Sequence, residues 1–302
     1  MAIVANSPQV EAAASPMVPI KGARRSFWRR FARHRLALAG AAVLAALALA
    51  AMFAPLLAPY APNPTLTGKV LAQARQGPSW HHWFGTDGLG RDMFTRVLYG
   101  GRISLAIGLC VALASTILGT TIGAVAGWFG GWADQVLMRI NDLLMVIPGL
   151  AVLMIAQKGL GGSMTVIIVV LSLLSWSIVG RVVRAQFRSL KELEFVEAAR
   201  ASGASAWRII VFELLPNCVG VIAVRTTLAV GGAILAESAL SFLGFGLAPP
   251  AASWGSMLSQ SKGAVGTRLA YLVYFPGLAI LLTVLAVNFV GDGLRDAFDP
   301  QS

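Results

Sequence analysis

Arg225 and Glu237 interrupt an otherwise apolar run and stand twelve residues apart. On one helix that separation is about 18 Å along the axis, so the two cannot pair with each other. An unpaired charge at mid-depth in a bilayer costs roughly 2.5–3.5 kcal/mol on insertion scales, so each needs a reason to be there. In one reading both face a polar pathway between helix bundles, which suits movement of a solute. In the other, Arg225 snorkels to one interface and Glu237 sits near the opposite rim.

Bond-breaking chemistry finds little support elsewhere in the chain. There is no G-x-x-x-x-G-K-[ST] phosphate cradle, because the only Gly-Lys pair, Gly68-Lys69, is followed by Val70. There is no G-x-S-x-G elbow, and His34, His81 and His82 all lie outside the long apolar runs. A membrane hydrolase therefore lacks its base. His81-His82 reads as loop, with no acidic or cysteine partner close by in sequence. Asp292, Asp296 and Asp299 lack the glycine and terminal glutamate of a calcium loop and read as a solvated tail.

The elements that carry these residues follow from composition. The 302 residues are 57% hydrophobic and only 12% charged, against about a quarter charged in soluble domains. Uncharged runs at 36–58 and 103–128, and a third at 269–290, reach or exceed the ~30 Å hydrocarbon core at ~1.5 Å per residue. The pattern predicts an all-α integral membrane protein with six transmembrane helices. The third span is expected to kink at Pro148-Gly149. Gly119, Gly123 and Gly127 form a small-xxx-small ladder for close helix approach. Met93, Phe94, Val97 and Leu98 suggest a short interfacial helix, hinged at Gly100-Gly101 into the second span. Cys110 and Cys218 fall near opposite ends of their spans, too far apart in depth for a disulfide.

The net charge of +11 is clustered rather than spread. Seven basic residues fall in "KGARRSFWRRFARHR" at 21–35, and Arg181, Arg184, Arg188, Lys191, Arg200 and Arg208 flank a second region. Basic flanks beside apolar spans place both regions, and both termini, in the cytoplasm. They suit anionic lipid headgroups and give no reason to invoke nucleic acid.

Between the fourth and fifth apolar runs lies "EFVEAARASGASAWRIIVFELLPN" at 194–217. Phe195, Ala198, Ala199 and Ser202 share the i, i+3, i+4, i+7 spacing, so one helix presents a mostly small face, with Glu194, Glu197 and Arg200 pointing elsewhere. Ser202-Gly203 breaks that helix and Ser205 caps a second one running toward Pro216. Two short cytoplasmic helices at an angle result, with a surface suited to a partner's groove. An ordinary interhelical loop lying on the membrane is the plainer alternative.

These residues resemble the EAA loop of ABC-importer permeases: Glu197-Ala198-Ala199, Gly203 four residues on, then Ile209 or Ile210 and Leu215-Pro216. Further stretches are similar to the peptide and nickel importer permeases of the dipeptide/oligopeptide "C" type. They are "FGTDGLGRD" at 84–92, Gly100-x-Arg102-x-Ser104-Leu105, "GGWADQVLMRIND" at 130–142, "LSFLGFGLAPPAASWG" at 240–255 and "NFVGDGLRDAFDP" at 288–300. The resemblance covers roughly 27–300.

The resemblance implies a type I ABC-importer permease fold and a multi-pass cell-membrane subunit. Its partners would be a second homologous permease forming a heterodimer, two ATPase subunits and an extracytoplasmic substrate-binding protein. It implies no cofactor in this chain, with ATP and Mg bound by the partner subunits. Glu197, Ala198, Ala199, Arg200 and Gly203 would contact the ATPase and supply the bend, and Leu215 and Pro216 would fix the return into the fifth span. Arg225 and Glu237 stay as candidates for the translocation path. The expected organisation is a mobile cytoplasmic tail (1–26), an anchor with an extracytoplasmic segment (27–101), a core of five spans (102–292) with the coupling loop at 186–216, and a cytoplasmic tail (293–302). Di- or oligopeptides are the expected substrate, with nickel chelates, glutathione and antimicrobial peptides as alternatives. An ion-gradient-driven secondary transporter is the rival from another class, and it would leave the EAA-like loop unexplained.

Overall fold

The computed structural model describes residues 27–298; the expected tail 1–26, and 299–302 of the expected C-terminal tail, lie outside the described residues. The described residues build helices and no strand, apart from one isolated bridge between Thr86 and Asp92. The principal helices are α1 (Arg35–Met52), α2 (Met93–Phe129), α3 (Gly131–Val146), α4 (Gly149–Leu160), α5 (Met164–Leu190), α6 (Glu194–Ala201), α7 (Leu215–Leu240), α8 (Trp254–Gln260) and α9 (Tyr271–Phe298). Among the described residues, five helical stretches are long and apolar enough to cross a membrane, and a sixth crossing follows if α3 and α4 form one broken span.

In the α3–α4 pair the expected kink becomes an 82° bend. Ile147, which precedes Pro148, is extended, as the clash of the proline ring with the preceding residue demands. At the start of α5, Ser163 caps the helix by accepting from the Val166 N–H.

α2 and α5 share the most extensive helix pairing. The glycine ladder lies in it: a Cβ at Gly123 would come within 2.5 Å of the Gly180 carbonyl oxygen, and one at Gly119 within 2.7 Å of the Trp176 carbonyl. Gly127 meets Phe187 at 2.6 Å in the same way. In lipid, where apolar burial gives little drive, such backbone approach is what holds helices together.

Two expected boundaries are absent. No hinge interrupts α2 at Gly100-Gly101, and the interfacial helix expected at 93–98 is its first turns. Both glycines are buried against Trp254, whose ring would meet a Cβ on Gly101 at 2.9 Å. Glycine weakens a helix by only about 1 kcal/mol, and packing offsets that here. Likewise α9 continues without a break from the sixth span through 293–298. Gly293 seats against Ala37 of α1 and Phe298 packs on Phe27 at 4.6 Å, so one side of this stretch packs on the N-terminal helices.

The segment 59–92 folds as a cap on the end of the bundle opposite α6. Tyr271 donates to the carbonyls of Gln76 (2.8 Å) and Thr86 (2.9 Å), and Phe84 stacks on Phe275 at 3.8 Å. His82 is not a bystander there. Its Nδ1 lies 2.9 Å from Asp92 Oδ2 and both side chains are buried, while Asp92 Oδ1 caps α2 at the Thr95 N–H. The acidic partner lies ten residues on in sequence and is brought to His82 by the turn between them.

Candidate functional site

At one end of the bundle α6 is held by a single buried side chain, Val196. It packs into a cluster with Phe187, Ile209, Ile210 and Leu214, against which Phe195, Ala199 and Ala204 are half-buried. The face left open is therefore Glu194, Glu197, Ala198 and Ala201, again at i, i+3, i+4 and i+7. This corrects the expected face. Phe195 and Ala199 turn inward because the adjacent Val196 must reach the core, and the two glutamates turn outward with Ala198.

Arg200 is exposed on the flank, its guanidinium 4.8 Å from the centre of the Trp128 ring at the end of α2. That cation–π contact ties α6 to the span ahead of it. Gly203 ends the element at φ +78°, with its N–H on the Arg200 carbonyl and the Ala204 N–H on the Ala199 carbonyl. The left-handed conformation is one that only glycine adopts at no cost.

The chain then departs from the expected second loop helix. Ser205 accepts from the Arg208 N–H, and from Ala206 onward one helical stretch runs to Phe245. Its first turns widen into a π-segment, Ile209–Leu214, where the Leu215 N–H reaches back to Ile210 O. Pro216 explains the widening. It lacks an N–H and its ring crowds the preceding turn, so a wider turn accommodates it. Leu215 and Pro216 thus sit inside a continuous helical entry to the fifth span.

A polar seam lies beside this end. Arg184 grips Asp134 through Nε to Oδ1 and Nη2 to Oδ2 (2.5 Å), and Arg188 approaches the same carboxylate at 3.8 Å. Arg181 donates to Asn141 (3.1 Å) and Asp142 (2.5 Å), while Asn141 donates to the Ser177 carbonyl. The arginines first attributed to membrane orientation therefore also lace α5 to α3. Their i, i+3, i+7 spacing opposite Asp134, Asn141 and Asp142 was a readable signal that sequence reasoning missed.

Arg225 and Glu237 are not brought together. Arg225 is exposed on α7 and lines a cavity of about 610 Å³ with Asn217, Gly220, Asp292 and Arg295. Glu237 is fully buried near the capped end. Its Oε1 accepts from Ser241 (2.7 Å) and from Ser253 (2.6 Å), and Ser253 also caps α8. Within this chain Glu237 is a clasp between α7 and the loop before α8. No group of three or more metal-ligating side chains occurs among the described residues.

Two family models match the chain. One, for the binding-protein-dependent transport system inner membrane component, covers residues 119–302. The other, for the N-terminal transmembrane domain of oligopeptide transport permease C, covers residues 23–78. A dipeptide transport system permease protein of Bacillus subtilis is 40% identical over 274 residues, 91% of this chain and 84% of the relative. A glutathione transport system permease protein of Salmonella typhimurium is 43% identical over 277 residues, 92% and 90% of the two chains. A Brucella suis protein with a peptide-permease name is 44% identical over 274 residues, 90% and 89% of the two chains.

Proposed function

We propose that this chain, which belongs to the family of binding-protein-dependent transport system inner membrane components, forms half of a translocation path for di- or oligopeptides. As a permease of an ABC importer it works in the inner membrane with ATPase and substrate-binding partners. The finer reading is a heterodimer with a second, homologous permease, served by two ATPase subunits, with both termini cytoplasmic. Rocking of two permease halves about a central path gives alternating access.

The observation that carries this is α6. An acidic, small-residue face stands clear of the chain at the foot of two spans, fixed from behind by Val196 and from the side by Arg200 on Trp128. A rigid connection of that kind passes a push from an ATPase groove into α5 and α7. Glu197 and Ala198 are the contact residues, Ala199 and Arg200 fix the helix pose, Gly203 supplies the bend, and Leu215-Pro216 passes it into the span. Arg225, beside its cavity, is the remaining candidate for the path.

Gentle detergent purification from the native host, followed by identification of the co-purifying chains, tests this. A second permease with Walker-containing ATPases is expected, and the reconstituted complex should take up a labelled dipeptide when ATP and the binding protein are supplied. Recovery as a homo-oligomer with no ATPase would sink the importer assembly. Uptake of glutathione but of no dipeptide or oligopeptide would overturn the substrate. A cysteine at Thr67 should react only with reagent added from outside; labelling from the cytoplasm inverts the topology.

A further inference from the structure

In the cap, Asp87 is flanked by two arginines. Its Oδ1 accepts from the backbone N–H groups of Leu89 (2.8 Å) and Arg91 (2.9 Å), and its Oδ2 from Arg91 Nε at 2.7 Å. Arg96 Nε stands farther off, 3.7 Å from the same Oδ2. One carboxylate, already holding three donors, therefore serves two guanidiniums.

Arg96 is 3% exposed. Its Nη2 donates to Gln260 Oε1 at 3.2 Å, an oxygen it shares with Arg91 at 3.3 Å. Its Nη1 is buried and has no hydrogen-bond partner among the described residues. A buried guanidinium that is neither fully neutralised nor fully hydrogen-bonded is costly, which favours an external anion beside it.

Space for one exists. Arg96 lines two neighbouring cavities, one of about 400 Å³ with Asp87, Arg91, Pro249 and Gln260, the other of about 240 Å³ with Asn63, Tyr99 and Arg102. The first brings a second arginine and the second brings a third. All lie at the end of the bundle opposite α6.

We propose that Arg96, with Arg91 and Gln260 beside it, forms a binding site for a carboxylate-bearing solute, and that the carboxylate is the C-terminal group of a peptide. The planar fork of a guanidinium matches a carboxylate in two parallel hydrogen bonds, and Arg96 is the guanidinium common to both cavities. That the solute is a peptide rests on the importer reading above; the anion site rests only on Arg96 and its surroundings.

The purified complex, without binding protein and in nanodiscs of neutral phosphatidylcholine, allows direct measurement by equilibrium dialysis. The probes are labelled Ala-Phe, its C-terminal amide, and inorganic phosphate. The free acid is expected to bind and the amide to bind at least about tenfold more weakly, the size of a lost charge-assisted hydrogen bond. Arg96→Gln should remove that preference and Arg96→Lys should keep part of it. Because Arg96 is buried and its variants risk misfolding, Gln260→Glu is the second test: it places the protein's own carboxylate beside Arg96 and should abolish acid binding in an assembled complex. Equal binding of acid and amide, undiminished acid binding in an intact Gln260→Glu complex, or binding of phosphate without peptide would each overturn the proposal. Retained acid-selective binding in a complex that fails to transport peptide would leave the site standing and remove the importer reading instead.

Discussion

Arg184 of α5 and Asp134 of α3, 50 residues apart in sequence, meet in a two-pronged ion pair with side chains 27% and 12% exposed. Half-buried and bidentate, it is stronger than a surface pair. Arg184→Met should destabilise the purified protein by about 1.5–3 kcal/mol, the cost of hydrogen bonds lost to a charged group. Thermal unfolding of Arg184→Met, Asp134→Asn and the double variant checks it. Additive losses would show that the two side chains are not coupled.

The glycine ladder makes a sharper prediction. Gly123→Leu drives a side chain into the backbone of Gly180 and should cost about 1–3 kcal/mol or more as an overpacked contact. Gly232→Leu is the control, since nothing lies within 4 Å of its added Cβ. Detergent-resistant folding of each variant, followed by size-exclusion chromatography, decides the matter. Equal behaviour of the two would remove the ladder from the fold's support.

On α6, exposure separates contact from packing. Glu197→Arg reverses a charge on the open face and leaves the Val196 anchor untouched. Such a variant should insert and fold normally yet lose most ATP-driven uptake, with ATPase activity no longer stimulated by loaded binding protein. Normal uptake would disprove coupling through this face. Gly203→Ala, forced into the left-handed region, should cost about 1–2 kcal/mol in this element and weaken coupling by displacing the helix.

Glu237 offers a test of the clasp. Glu237→Ala leaves Ser241 and Ser253 without their acceptor, a loss of about 1–3 kcal/mol for each buried donor left unpaired. The loop before α8 should then loosen. Hydrogen exchange over 246–256 is expected to speed up in Glu237→Ala and much less in Glu237→Gln, which keeps one acceptor. Unchanged exchange in the alanine variant would mean the clasp is not holding that loop.

Much of the bundle was written locally. A run of twenty or more apolar residues has one stable form in lipid, because every backbone polar group must be satisfied within the segment. The spans, the Pro148 break, the Ser163 cap and the glycine face at 119, 123 and 127 all follow from residues within a few turns of each other.

Tertiary structure decided what depends on helix rotation and on distant neighbours. Spacing placed Phe195, Ala198, Ala199 and Ser202 on one stripe, but which side of α6 faces inward was settled by the pocket that Phe187, Ile209 and Leu214 offer to Val196. Gly100-Gly101 looked like a hinge until Trp254, more than 150 residues on, filled the space beside it. Spacing left Glu237 between a path and a rim, and the fold brings Ser253 to it; Arg96 is short of acceptors because Arg91 already holds Asp87. A hydrophobic pattern sets the radius and length of a helix within a few residues. Its roll about the axis, and so the partner of every polar side chain, is fixed only when the neighbouring helices have packed.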